Sequence, residues 1–241
     1  MDTPYEKIIT KALTYDNLVQ IMRVMIRRAG EGGPKAGEAR NLLKIVKARW
    51  PEVRQALING LRQGQNPKVI AREVKKVTTL SANAAETITR TTIMNASNMA
   101  HSVIYAQAGI KKMRIIAALD ADTCAEFLYR DGNVISVRRG ADVTLHPNCR
   151  CTIAPVVDWP EGERSGKEYD DEGHAKSKLF PADTTGKEYL RNLPQEQQEK
   201  VLGYDRVRLM NAGEVKFDDL WNTKGELIPL KTLSETSQHG G

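Results

Sequence analysis

His146-Pro147-Asn148-Cys149-Arg150-Cys151 is the stretch that decides the fold predicted for the middle of this 241-residue chain. It holds two of the three cysteines and one of the four histidines, and Cys124 lies upstream, before an Asp131-Gly132 turn sequence. Three thiols and one imidazole are the ligands that a closed tetrahedral zinc site needs. The residues therefore predict a structural zinc ion bound by Cys124, His146, Cys149 and Cys151.

Two other interpretations of the cysteines stay open. Cys149 and Cys151 would share one face of a strand, but a turn is equally compatible, and one of the two would then be a buried cysteine that binds no metal. In the second interpretation the whole cluster is a set of small side chains in a turn, without any ligand. Clustered thiols beside a histidine favour metal over the second interpretation.

The chain shows no constellation of catalytic side chains. Four closed ligands leave no open coordination position on the metal, and His101, His174 and His239 fall in a helix, a loop and a tail. Asp120 and Asp122 flank Cys124 closely, where carboxylates usually cap a turn. We predict no catalytic residue, no cofactor besides zinc and no enzyme activity.

The N-terminus and the cysteine usage indicate a cytoplasmic chain. The first six residues contain neither a basic nor an apolar signal-peptide region. No apolar run approaches the roughly 18 residues expected of a membrane span, and a reducing cytoplasm keeps cysteines as thiols. We expect no membrane contact, and a protein that stays in the cytoplasm unless it is packaged into something larger.

Charge is distributed unevenly along the chain. The net charge is +6, but residues 1–119 carry 20 Lys and Arg against 8 Asp and Glu, whereas residues 120–241 carry 16 against 22. A basic half of this kind suits non-specific contact with a polyanion such as double-stranded DNA. A solvated helix surface is an equally weighted alternative. The aromatic content of 5% is low for a single-strand binder, which stacks bases on aromatic rings.

The first half of the sequence predicts helices. Apolar spacing and the positions of Gly and Pro indicate helices over 5–28, 36–50, 53–61 and from Asn66-Pro67 to about Val77. The longest candidate runs over 81–108 and ends at Gly109, as a helix C-terminus often does. It is rich in Thr and Asn, so contacts with another helix or another chain must hold it.

The pattern then changes to short strands. Strands are predicted over 113–119 and 152–157, with a hairpin over 128–135 that turns at Asp131-Gly132. So few short strands bury little apolar surface, and a metal ion is expected to staple them. The charged, glycine-rich residues that follow predict an extended arm or an ordered loop, and short helices come after it.

Together these patterns predict an α+β fold that is mainly α. Its parts are basic N-terminal helices, a small zinc-stapled β-hairpin module that carries the Cys/His cluster, an extended arm and a C-terminal helical extension. The predicted boundaries of these four parts are 1–80, 81–157, 158–187 and 188–241.

Several short motifs follow one another along the chain. They are Arg90-Thr91, Tyr105 with Gly109-Ile110, Asp120 with Thr123-Cys124, Asp131-Gly132, and His146 to Cys151. Their order and spacing resemble the phage head-morphogenesis, or minor head, protein family typified by the F protein of phage Mu. The resemblance covers about residues 85–157, and a looser one extends over the C-terminal helices.

One position departs from the family pattern. Phe127 stands where the family has the second cysteine of a Cys-x-x-Cys pair, so Cys124 lacks its usual partner. Either Cys151 supplies the fourth metal ligand, or the metal is lost and Phe127 fills the space as part of the core.

The resemblance implies a virion component of the head or portal region, assembled in the cytoplasm of an infected bacterium. Such proteins act in head assembly, where they bind the portal protein and the capsid or scaffold proteins near it, and some associate with packaged DNA. The helix over 81–108 would suit a packed contact with a portal helix.

Two alternative functions compete with head assembly. One is a metal-dependent nuclease or toxin-type enzyme, which the thiol ligands disfavour because such metals prefer carboxylates. The other is a zinc-stapled DNA-binding protein, which the lack of helix-turn-helix spacing disfavours.

Overall fold

The computed structural model describes residues 4–28, 34–142, 147–156, 162–223 and 225–237. The chain forms two compact units. The first unit comprises Met1–Met113 and Ile135–Pro155, and the second comprises Arg114–Val134 and Val156–Gly241. Helices dominate and the sheets are small, so the predicted α+β, mainly α class is confirmed.

Helices build most of the first unit. They are α1 (Pro4–Ala12), α2 (Tyr15–Arg28), α3 (Pro34–Ala48), α4 (Trp50–Arg62), α5 (Pro67–Lys76) and α6 (Ala82–Gln107). Their apolar faces form one core, centred on fully buried residues such as Leu13, Met22, Val53, Leu57, Ile70 and Ile88. The predicted cap of α5 is confirmed, because the Asn66 side chain accepts a hydrogen bond from the Lys68 backbone N–H at 2.9 Å.

The single helix predicted over 5–28 is wrong, since α1 and α2 are separate. Thr14 interrupts the helix, and its hydroxyl accepts a hydrogen bond from the backbone N–H of Asn17 at 3.2 Å. The Asn17 side chain donates in turn to the carbonyl of Ala12 at 2.7 Å. These local side-chain bonds compete with the helical ladder and permit the break.

Helix α6 confirms the long helix predicted over 81–108, and it packs against α1, α2 and α5. Six of its polar side chains are buried inside the first unit. The buried set is Thr89, Thr91, Thr92, Asn95, Asn98 and Ser102. Tertiary contacts therefore hold a helix that its intrinsic propensity would not.

Three short strands follow, β1 (Lys112–Ile116), β2 (Val134–Ser136) and β3 (Thr152–Pro155), in the sheet order β2-β1-β3. The hairpin predicted over 128–135 is wrong, because Ala125–Arg130 forms helix α7. The last bond of α7 runs from the Asp131 N–H to the Phe127 carbonyl at 2.9 Å, and Gly132 follows with a φ of +83°. Asp131-Gly132 thus ends a helix, and β2 pairs with β1.

The second unit carries a hairpin and five further helical segments. The segment predicted to be an extended arm contains β4 (Glu163–Tyr169) and β5 (Ala175–Pro181), which pair antiparallel from Glu163↔Pro181 to Tyr169↔Ala175. The helices are α8 (Gly186–Arg191), α9 (Gln195–Leu202), α10 (Tyr204–Asn211), a 3-10 turn (Phe217–Leu220) and α11 (Leu230–Ser237). No described helix is long and apolar enough to cross a bilayer.

A buried carboxylate joins four segments of the second unit. The Asp131 side chain is fully buried, and its oxygens accept hydrogen bonds from the backbone N–H groups of Ala117 (2.6 Å) and Gly186 (2.8 Å). The Arg164 guanidinium, 16% exposed, donates to both carboxylate oxygens at 2.7 and 3.1 Å. Two further N–H groups of the guanidinium donate to the carbonyls of Ala117 (2.6 Å) and Thr184 (2.9 Å).

Because removal of one partner leaves the other charge buried and unpaired, we expect Asp131→Asn to destabilise the protein strongly. The free energy of unfolding should fall by about 3–5 kcal/mol, measured by urea denaturation followed by circular dichroism. Asp122→Asn is the matched control, since it removes the Asp122–Lys200 pair, in which both side chains are 54% exposed. Equal midpoints for the two variants would contradict the role of Asp131.

Candidate functional site

The loop Pro147–Cys151 lies against α6 within the first unit. It precedes β3, and its contacts run to Thr87, Thr91 and Asn98 on the helix. His146, a predicted metal ligand, lies outside the described residues. The part of the hexapeptide that the structure describes is therefore held by the buried polar face of α6.

Asn148 shapes this loop through its backbone. Its φ of +59° is the one positive φ of a non-glycine residue in the described part of the chain. Asn is among the few residues that adopt this left-handed conformation at moderate cost. Its backbone N–H donates to the Thr91 hydroxyl at 3.0 Å, and its side-chain amide donates to the Thr87 hydroxyl at 3.1 Å. Two of the motifs that carry the family resemblance, Arg90-Thr91 and the hexapeptide, are therefore in contact.

The two cysteines of the loop are both buried. Cys149 is 3% exposed and Cys151 is 2% exposed, whereas Arg150 between them is exposed. The Cys151 N–H lies 3.4 Å from the Cys149 sulfur and donates to it, and Asn98 donates its amide N–H to the Cys151 carbonyl at 3.0 Å. The thiolate is the form of cysteine that binds metal.

Cys124 lies at the start of α7 in the second unit and is half-buried. Its carbonyl accepts the first hydrogen bonds of that helix, from Phe127 and Leu128, at 3.0 and 3.1 Å. Since His146 falls outside the described residues and Cys124 belongs to a different unit from Cys149 and Cys151, the four-ligand set remains a prediction.

Phe127 is a fully buried residue of the structure. This is the position at which the resembling family has its second cysteine. The side chain fills interior space. This is what the second outcome given above requires, in which Phe127 is part of the core. The residue itself offers no metal ligand, so a zinc ion would have to be held by the remaining thiols and the imidazole.

The motif of Tyr105 with Gly109-Ile110 forms the C-terminal end of α6. Gly109 has a φ of +79°; its N–H donates to the Ala106 carbonyl at 3.1 Å, and the Ile110 N–H donates to the Tyr105 carbonyl at 2.9 Å. These two bonds make a Schellman cap, for which glycine is the favoured residue. The Tyr105 hydroxyl also reaches the Ile153 carbonyl at 3.4 Å, so the motif ties the helix end to β3.

Two aromatic side chains lie near that end of the helix. The rings of His101 and Tyr105 stack with centroids 5.9 Å apart. Burial lowers the pKa of His101 below its usual range, and it raises the pKa of Tyr105. Both groups are therefore neutral at pH 7, and the site gains no charge from them.

The Asp120 motif forms a turn, as predicted. One carboxylate oxygen of Asp120 accepts hydrogen bonds from the Asp122 N–H at 3.0 Å and from the Thr123 hydroxyl at 3.1 Å. Asp122 forms an exposed ion pair with Lys200 at 2.6 Å. These contacts position the start of α7.

One group of possible metal ligands was not predicted from the sequence. Asp170, Glu172 and His174 lie together in the turn between β4 and β5, with ligand atoms within 4.8 Å of one another. The backbone N–H of His174 donates to Asp170 at 2.7 Å, and this bond lowers the pKa of the Asp170 carboxyl. The side chains are half-buried or exposed, and their bonds are those of an ordinary acidic turn.

Sequence analysis missed the helix residues that hold the loop. Thr87 and Asn98 belong to the Thr- and Asn-rich composition of α6, which was the one available signal. Their partners lie 61 and 53 residues away along the chain, in the hexapeptide. No local spacing rule relates positions so distant.

The backbone of Asn148 leads to a stability prediction. Asn148→Val should lower the free energy of unfolding by about 1–3 kcal/mol, because a β-branched residue is strained at positive φ. Asn148→Gly should cost less, since glycine adopts this conformation freely and loses only the bond to Thr87. Thermal unfolding of both variants measures the difference. Equal losses for valine and glycine would show that the backbone conformation is not what asparagine provides.

The motifs and their geometry agree with one family comparison. Residues 51–154 match the family model described as Phage Mu protein F like protein. Neither a curated protein nor a solved structure matches the chain significantly. The matched range contains α6, α7, all but the last residue of the three-stranded sheet and the described part of the hexapeptide. The chain therefore carries a domain of the Phage Mu protein F-like family, a family of phage head-morphogenesis proteins.

Proposed function

We propose that this protein is a structural minor head protein of a tailed phage, which binds the portal protein and neighbouring capsid or scaffold proteins during head assembly. The observation that carries the proposal is the family match over 51–154. The site geometry supports it, since the matching motifs cap helices, form turns and hold a loop. The virion, at the head or portal, is the location that this function requires.

The geometry also supports a structural metal as part of the proposal. Cys149 and Cys151 are buried on one loop, with an N–H directed at the Cys149 sulfur. A thiolate pair supplemented by His146 and Cys124 would give zinc the tetrahedral set it prefers, with no open position for catalysis. The zinc would hold the loop and would stabilise the domain.

The portal interaction is tested with the cognate portal protein. We expect the tagged chain to retain an intact portal ring after co-expression and size-exclusion chromatography, and a portal from an unrelated phage to elute separately. Mass spectrometry of purified phage heads should detect the chain at a constant ratio to the portal. Intact rings that elute without the chain, together with heads that lack it, would refute the proposal.

The metal is tested by elemental analysis of the purified full chain. We expect about one zinc ion per chain in the wild type, and a large loss in Cys149→Ser. His174→Ala is the matched control, because it removes a possible ligand of the exposed acidic turn and should leave the zinc content unchanged. Wild-type protein without zinc, or zinc lost only in His174→Ala, would rule out the cysteine site.

A further inference from the structure

The hairpin of β4 and β5 has two edges, and the rest of the second unit holds it by the edge that β4 forms. The Lys167 N–H donates to the Leu119 carbonyl at 2.7 Å, and the Lys167 carbonyl accepts from the Tyr189 hydroxyl at 2.7 Å. The other edge is formed by β5, in which every residue except Phe180 is exposed. We call this outer side of the strand the β5 edge.

The register of the hairpin identifies which backbone groups face the β5 edge. The Ala182 N–H donates to the Gly162 carbonyl at 2.8 Å, and the Asp170 N–H donates to the His174 carbonyl at 3.2 Å. Hydrogen-bonded pairs alternate along an antiparallel ladder, so every even-numbered residue of β5 bonds to β4. The odd-numbered residues direct their N–H and C=O groups outward. With both groups outward, these are Ala175, Ser177 and Leu179.

The outward groups of these three residues form no hydrogen bond with any residue that the structure describes. A row of N–H and C=O groups of this kind is a template on which another strand can pair. Extended peptides bind many proteins in this way, with backbone bonds supplying affinity and alternate side chains supplying specificity. Pro181 ends the row, because proline has no N–H to donate.

Two lysines decide which strand fits. Lys176 and Lys178 lie on one face of β5 and alternate with the outward residues. In an added antiparallel strand, the residues opposite them form non-hydrogen-bonded pairs, in which side chains approach most closely. Opposite charges at such positions stabilise the pairing. Glu168 pairs with Lys178, but their side chains are 56% and 45% exposed, so this ion pair is weak and Lys178 can exchange it.

The same lysines disfavour a second copy of this chain. Two β5 strands that pair antiparallel through all three outward residues are centred on Ser177. Lys176 of each copy then lies directly opposite Lys178 of the other, and like charges in that position are destabilising. The β5 edge therefore selects against itself and in favour of an acidic strand.

We propose that the β5 edge binds an extended acidic segment of another protein, which adds to the hairpin as a third, antiparallel strand with carboxylates opposite Lys176 and Lys178. Leu179, 59% exposed on the opposite face, contacts an apolar side chain of the same segment. The inference does not rest on the proposed assembly role, because peptide binding is measured without a portal or a phage head.

The test uses the full chain and a fluorescent peptide of seven residues, the length of β5, in which glutamate and valine alternate. With glutamates opposite the lysines, the valines lie opposite the outward residues and exchange the backbone bonds with them. We expect methylation of the valine amide nitrogens to lower the affinity about tenfold or more, measured by anisotropy. Methylation of the glutamate amide nitrogens is the matched control and should leave the affinity nearly unchanged, since those N–H groups point away from β5.

A second pair of variants tests the protein side. Ser177→Pro removes an outward N–H and spares the ladder with β4, so the edge strand tolerates it. We expect this variant to bind the glutamate–valine peptide about tenfold more weakly than wild type. Ser177→Ala keeps the N–H and should bind like wild type.

Equal affinity for the two methylated peptides would overturn the proposal, and so would equal binding of a peptide with lysine in place of glutamate. If the unmodified peptide does not bind at millimolar concentration, the lysines only protect the edge from pairing, and the proposal fails. A wild-type dimer that Ser177→Pro dissociates would show instead that the occupant is a second copy of the chain.

Discussion

The buried carboxylate of Asp131 is the constraint on which the second unit depends. A charge without solvent must be matched by donors, and Asp131 receives them from the end of β1, from β4 and from the start of α8. The same requirement explains the glycine at 186. A Cβ atom there would lie 2.4 Å from the Leu128 carbonyl oxygen, so a larger residue would push the backbone away from the carboxylate.

This network extends the domain beyond the matched range. Asp131 lies within residues 51–154, whereas Arg164 and Gly186 lie outside them. Two of the residues that donate hydrogen bonds to Asp131 therefore lie outside the family match. Sequence similarity that ends near residue 154 does not mark the end of the structural unit, because a buried charge and its partners must fold together.

Helix α6 provides buried polar contacts in the first unit, as Asp131 does in the second. Its Thr and Asn side chains hold the Pro147–Cys151 loop, and Ser102 donates to the Val137 carbonyl, so polar groups that disfavour an isolated helix become contacts of the folded chain. The loop carries two buried thiols, Cys149 and Cys151.

Features whose hydrogen bonds are local could be predicted from the sequence. Asn66 caps α5, Gly109 ends α6 and Asp120 closes its turn because each bond joins residues only a few positions apart, where spacing and side-chain type suffice. The α+β class and the order of the family motifs were likewise visible in the sequence.

Other features depend on contacts between distant residues. Asp131-Gly132 ends a helix and does not turn a hairpin, because the Asp131 carboxylate is bound by Arg164, 33 residues away. The tertiary structure also decided that Asn148 meets Thr91 across 57 residues. Contacts of that range depend on how helices pack, and packing balances the burial of many side chains at once, which no short stretch of sequence specifies.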